Sequence, residues 1–225
     1  MRLKPVRGFA IVVALPWLAP CAAAQPPAQV WPDTPLARSQ ALAELQTLNA
    51  DLLSHASATL VLQAWCGTHH FASTARIVAR RVPAAAKPLP QGARALLQIA
   101  AHEPVRYRRV QLTCGDRVLS EADNWYVPGR LTAAMNRQLD HTNVPFGKVV
   151  QSLHFRRQTL SAQLLWKPLP DGWDSGVPPP PASARPLAIP ASVLRHRAVL
   201  YAPHSRPISL VIENYTANVL SPPGG

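Results

Sequence analysis

Several signatures of common chemistry are missing from this chain. It has no glycine-rich phosphate loop, which removes the usual cradle for a nucleotide. No Gly-x-Ser-x-Gly turn occurs, so the exposed serine of the common hydrolases has no place to sit. Neither Cys-x-x-Cys nor His-x-x-x-His is present, and metal binding and cofactors are not expected. Acidic residues are scarce: 11 Asp and Glu stand against 23 Lys and Arg, a formal net charge of +12. A basic surface attracts nucleic acid, anionic lipid or small anions alike. No helix-turn-helix, zinc-finger or aromatic RNA-binding pattern accompanies the charge, so nucleic acid is not the expected partner. Long apolar runs are also lacking. After the first 24 residues nothing approaches the ~20 apolar residues of a membrane-spanning helix.

Those first residues have their own logic. MRLKPVRG is a positive stretch, FAIVVALPWLAP a short apolar one, and CAAA a run of small residues before Gln25. This is the layout of a cleaved export signal over residues 1–24, with the cut after Ala24 and a mature protein that is periplasmic or secreted. Cys21 follows Leu-Ala-Pro, and proline directly before it makes a poor lipidation box. Removal of the segment takes away Arg2, Lys4 and Arg7 and no acid, so +12 becomes +9. Two cysteines remain, Cys66 and Cys114. In an oxidising compartment they either form a disulfide or stay as two buried apolar thiols.

Residues 25–225 read as one domain. Asp33-Thr34-Pro35 opens a helix with a capping residue and a first-turn proline, and Leu42, Leu45, Leu48 and Leu52 line one face of it. A second apolar helix covers Thr59 to Cys66. ARIVARRV at 75–82 has strand composition, and ARALLQIAA is a short ambiguous apolar element. Strands are predicted over 105–114 and 117–127 around the Gly115-Asp116 turn, followed by a short helix to His141 with Met135 and Leu139 inward. KVVQSLHF, QTLSAQLLW, VLRHRAVLYA and ISLVIENYT read as further strands, and the proline-rich 168–186 as a stiff loop. Helices first and then hairpin-like strands with one inserted helix predict an α+β fold, a mostly antiparallel sheet covered by helices.

Two places stand out as chemistry. The segment VRYRRVQLTC crowds Arg106, Arg108 and Arg109 together. Alternation puts Arg106 and Arg108 with Val110 and Leu112 on the core face, near its rim. Arg109 shares the other face with Tyr107, Gln111 and Thr113, which is either a pocket wall or a wet surface. Glu213 lies inside the apolar run LVIENY, where a carboxylate needs a cation or a raised pKa. Arg109 is its natural partner, as a substrate-holding pair or as a structural bridge. Elsewhere, CGTHH (66–70) reads as ordinary polar residues at a helix end, and Asp51 with His55 as a surface helix pair.

Together these residues resemble the chorismate lyase (4-hydroxybenzoate synthase) family and the wider superfamily that includes ligand-binding domains of bacterial transcription regulators. The resemblance spans residues 100–216 and is carried by RVQLTCGDRVLSEADNWYVP, the helix beginning RLT, PFG at 145–147, FRRQTL at 155–160 and HRAVLYAPHSRPISLVIENYT. It implies an internal cavity and a cofactor-free elimination of pyruvate from chorismate, or action on a related aromatic or cyclic carboxylic acid. Carried over to this sequence, Arg109 binds the carboxylate, Glu213 contacts the hydroxyl end and acts as acid or base, and Phe146 with Gly147 lends a turn contact. Where the family has Gly-Arg before its turn, this chain has Asp123-Asn124. A non-catalytic binding module and a structural envelope protein are the alternatives.

Overall fold

The structure is a computed structural model that describes residues 30–83 and 85–222. The export signal expected over 1–24 lies outside the described residues. The chain begins with β1 (Pro32–Asp33), then α1 (Pro35–Ser54) and α2 (Ala58–Thr68). There follow β2 (Ile77–Arg81), α3 (Ala93–Leu96), β3 (Arg106–Cys114), β4 (Arg117–Tyr126), α4 (Ala133–His141) and α5 (Phe146–Val149). The rest is β5 (Arg156–Leu164), β6 (Ser183–Pro186), β7 (Ser192–Ala202) and β8 (Arg206–Thr216).

Local chemistry explains where the helices start. The Thr34 hydroxyl accepts from the Ala37 N–H and Pro35 occupies the first turn, so α1 begins where the sequence predicts. Its buried stripe is Ala37, Ala41, Leu45, Leu48 and Leu52. Leu42, expected on that face, is only half-buried, and the smaller Ala41 takes its place. Ser57 caps α2 through the Leu60 N–H, and Thr132 caps α4 through the Met135 N–H.

Six strands form one sheet in the order β2-β3-β4-β8-β7-β5. Every neighbouring pair is antiparallel. This is the α+β architecture expected. Helices α1, α2, α4 and α5 cover one face, here called inner, with Leu45, Leu62, Met135 and Val149 packed against Val110, Leu112, Ala122 and Val211. Among the described residues the outer face is covered by the segment around α3, where Ala93 and Leu97 meet Trp125, Val199 and Leu210.

One expected strand is a helix instead. Residues of KVVQSLHF belong to α5 and to the single turn Gln151–Leu153, which ends at His154 in the left-handed region, φ 49°. Val149 and Val150 are both buried, which adjacent residues of a strand would not achieve on one face. Pro145 precedes the first turn of α5 and fixes this outcome. The proline-rich stretch returns to the body of the protein: β6 pairs with β1, and Leu187 N–H donates to the Trp31 carbonyl.

Cys66 on α2 and Cys114 at the end of β3 are joined by a disulfide, with Cα atoms 6.2 Å apart. It fastens the helical layer to the sheet across a sequence separation of 48. The chain-entropy estimate for such a loop is about 4 kcal/mol. Cys114→Ser should therefore lower the unfolding free energy in urea by about 2–4 kcal/mol, and added reductant should bring the wild type to the same midpoint.

Candidate functional site

A cavity of about 50 Å³ lies between the inner face and the helices. Its floor is Arg108, Val110 and Leu112 of β3, Ala122 and Asn124 of β4, and Val211 and Glu213 of β8. Leu200 of β7, Arg157 at the start of β5 and Phe155 just before it close one side. Ala56 to Thr59 at the start of α2, with Phe146 and Gly147 of α5, form the roof. The glycine allows that roof to close. A Cβ at Gly147 would stand 3.2 Å from Ser57 Oγ.

Register decides which side chains reach it. Val110, Ala122 and Glu213 are cross-strand neighbours in one row, and Arg108, Asn124 and Val211 form the next row on the same face. Arg109 pairs with Asp123, which places it on the outer face. The expected Arg109–Glu213 pair therefore does not exist. Arg109 Nη2 instead donates to Glu121 Oε2 at 3.0 Å. Tyr107, on the same outer face, donates from its hydroxyl to Asp123, which also pairs with Lys87. Of the residues singled out in the sequence, the cavity brings together Glu213, Phe146 and Gly147 and leaves Arg109 out.

Glu213 is held by residues that sequence reasoning did not assign. Arg157 Nη2 donates to Glu213 Oε2 at 2.6 Å, with both side chains buried. Tyr215 donates its hydroxyl to the same oxygen at 3.1 Å. Burial works against the Arg157 charge, but the Glu213 carboxylate and Tyr215 together outweigh it, and the guanidinium ends above its ordinary pKa. Burial, and then the nearby carboxylate, push the Tyr215 hydroxyl well above the ordinary tyrosine value, so it stays a donor. Arg157 reaches the inner face because β5 pairs with β7, a neighbour relation that the alternation of FRRQTL does not carry by itself.

Arg108 is the opposite case. It is 6% exposed, and among the described residues it has no carboxylate partner within 4.0 Å. Nη2 reaches the carbonyls of Thr142 and Val144 at 3.3 Å each, and Nε finds no protein acceptor. Burial, followed by the charge of Arg81, pushes its pKa down to about 10. Removing a charge from water costs several kcal/mol, and a pair of carbonyls repays only part of that. Arg108 was expected at the rim of the core face. It stands in the cavity wall, because on this sheet the core face and the cavity face are one.

The other sequence candidates have structural employment. His69 stacks on Trp65 with ring centroids 4.0 Å apart and lies 3.4 Å from Glu44. His55 Nδ1 approaches the Asp51 carbonyl, not its carboxylate.

No protein-family model matches the chain. Over 196 residues it is 53% identical to the uncharacterized protein y4mC of Sinorhizobium fredii (strain NBRC 101917 / NGR234), a match that covers 87% of this chain and 83% of that protein. The chain belongs to the y4mC family. Similar solved structures include the effector domain of PhnF from Mycobacterium smegmatis, with a TM-score of 0.46, 14% identity, and coverage of 72% of this chain and 90% of that one. A GntR-family transcriptional regulator from Enterococcus faecalis V583 gives a TM-score of 0.40 at 13% identity, over 64% of this chain and 96% of that chain. Among the described residues of this y4mC-family chain, no helix is long and apolar enough to cross a membrane.

Behind Glu213, His196 is fully buried, and its Nε2 lies 2.8 Å from Asn49 Oδ1 of α1. Burial pushes its pKa down to about 4; the Glu213 carboxylate opposes that shift and Arg157 adds to it. The folded state thus favours the neutral ring, and the unfolded chain binds the proton more readily between pH 4 and 6.5. Stability is complete above about pH 6.5 and falls as pH drops toward 4. His196→Gln should flatten that part of the profile by roughly 3 kcal/mol, measured as urea-unfolding free energy at pH 7 and pH 4.

Proposed function

We propose that the cavity binds a small aromatic carboxylic acid. One observation carries this: Arg108, a buried guanidinium without a carboxylate partner, lines a cavity whose walls are otherwise mainly apolar. A ligand carboxylate supplies what the protein omits, a bidentate acceptor for a planar fork of donors. Phe146, Phe155, Val110, Leu112 and Val211 offer the faces against which a ring packs. Glu213 lies two strands across and one row along from Arg108. Strand spacing and rise put the two Cα atoms roughly 12 Å apart. That leaves room for one ring between the two inward-reaching side chains. A ligand with an acid at one end and a hydroxyl at the other meets a cation first and an acceptor last. Arg108, not Arg109, takes the carboxylate-binding role that the resemblance implies.

Turnover by pyruvate elimination is the second reading, favoured by Glu213 standing in the same cavity. In chorismate the ring carbon bearing the hydroxyl loses its proton and the adjacent carbon–oxygen bond breaks. Enolpyruvate departs and the ring becomes aromatic. Glu213, whose Oε2 accepts from Arg157 and Tyr215, faces the cavity as the group to take that proton.

The protein acts outside the cytoplasm on this reading, in the periplasm or after secretion. The Cys66–Cys114 disulfide supports it, since such bonds persist in oxidising compartments. Fractionation of cells expressing the full chain, with N-terminal sequencing of the product, should give Gln25 as first residue in the non-cytoplasmic fraction. An intact Met1 in the cytoplasm sinks the assignment.

Calorimetry with 4-hydroxybenzoate tests the ligand class. Arg108→Ala should weaken binding by about ten- to a hundredfold, the worth of a charged hydrogen-bonded contact, while Arg109→Ala stays within about twofold of wild type. Equal effects of the two substitutions would refute the assignment. Pyruvate release from chorismate, lost in Glu213→Gln, separates an enzyme from a binding module.

A further inference from the structure

The arginines of β2 and β3 do not find enough acid. Arg106 pairs with Asp140 at 2.8 Å and Arg109 with Glu121 at 3.0 Å. Arg81 and Arg108 are left over: among the described residues neither has a carboxylate within 4.0 Å. Arg81 donates to the backbone carbonyl of Asp140 instead. Register brings the two leftover charges together. Arg81 is the cross-strand partner of Val110, so it shares the inner face with Arg108 and lies one diagonal step from it.

The two line one surface groove, with Val82, Pro83, Tyr107 and Arg109 and without a single acidic side chain. The groove opens where β2 ends at Arg81 and β3 runs on toward Arg106. Arg108 lines both the groove and the cavity. After burial, Arg81 is the charge that opposes the proton on Arg108, while Tyr126 and Asp140, the latter already paired with Arg106, favour it. Two like charges a diagonal step apart repel unless an anion lies between them.

We propose that Arg81 and Arg108 form a second, outer anion site in this groove, taking one oxyanion group, carboxylate or phosphate, between their guanidiniums. Arg81 is exposed and brings the charge to solvent. Arg108 is buried and fixed by the Thr142 and Val144 carbonyls. The pair is thus half flexible and half preorganised, which gives capture at the mouth and orientation behind it. This site stands on the unmatched charges and their register, not on the identity of the cavity's ligand.

Calorimetric titration of the full chain with inorganic phosphate, and separately with acetate, tests it. Wild type should take up one anion per chain. Arg81→Gln should weaken that uptake about tenfold, while Arg185→Gln, at an exposed arginine on β6, leaves it unchanged. Binding of 4-hydroxybenzoate should stay within about twofold in Arg81→Gln. Tighter phosphate or tighter acetate each supports the site and tells which oxyanion it prefers. No anion uptake by wild type, or equal weakening by Arg81→Gln and Arg185→Gln, overturns the proposal, because the charge is then only a general surface property. Failure of 4-hydroxybenzoate to bind at all would count against the cavity reading alone.

Discussion

The buried Arg157–Glu213 ion pair is the constraint around which the inner face is organised. It joins the start of the edge strand β5 to the middle of β8, with β7 lying between them. Two charges taken out of water stabilise little on balance, but breaking such a pair by removing one partner costs on the order of 3–5 kcal/mol. The pair therefore acts more as a register lock than as a source of stability. Slip β5 by one residue and Arg157 turns outward, leaving Glu213 unmatched in an apolar wall. Tyr215 reinforces the lock from the same strand as Glu213, and Phe155 and Phe146 close over it. The cavity is thus bounded on one side by a carboxylate paired through its Oε2 and on the other by Arg108, whose charge the protein leaves open.

The disulfide and the helix caps bring the roof to this floor. Cys66 sits at one end of α2 and is tied to Cys114, while the other end of α2, from Ser57, borders the cavity. Gly147 lets α5 approach that same end. Asn49 of α1 meets His196 beneath the sheet's own hydrogen-bonded rows. Each contact joins residues far apart in sequence, so the site is a property of the assembled domain and not of any one segment.

Much of the fold was legible from pattern. The Thr34-Pro35 start of α1, the β3–β4 hairpin around Gly115 and the α+β class follow from capping chemistry and alternation. Glu213 stood out because a carboxylate among Leu210, Val211 and Ile212 requires an explanation. The errors have physical causes too. Val149-Val150 looked like strand because β-branched residues favour sheet, yet a proline-started turn buries both on a helical piece. Alternation points to Arg109 and away from Arg108, because polar residues usually line pockets and apolar ones line cores. In this protein the pocket is inside the core, so its cation has Val110 and Leu112 as face-mates. Arg157 was invisible as a partner because its importance depends on β7 separating β5 from β8, a neighbour relation that no local pattern encodes.

Strand order carries a kinetic consequence. β8, from Arg206 to Thr216, is the last strand of the chain, yet it occupies an interior place in the sheet between β4 and β7. The hairpin β3–β4 can form from local residues, but β4 has its second edge unsatisfied until some eighty residues later in the sequence arrive. Contacts of such long separation slow folding, since loop-closure entropy is spent before they form. Until β8 is in place, the β4 edge that it pairs with stays open. Completion of the sheet and completion of the cavity are the same event, because the strand that fills the gap is the one that carries Glu213.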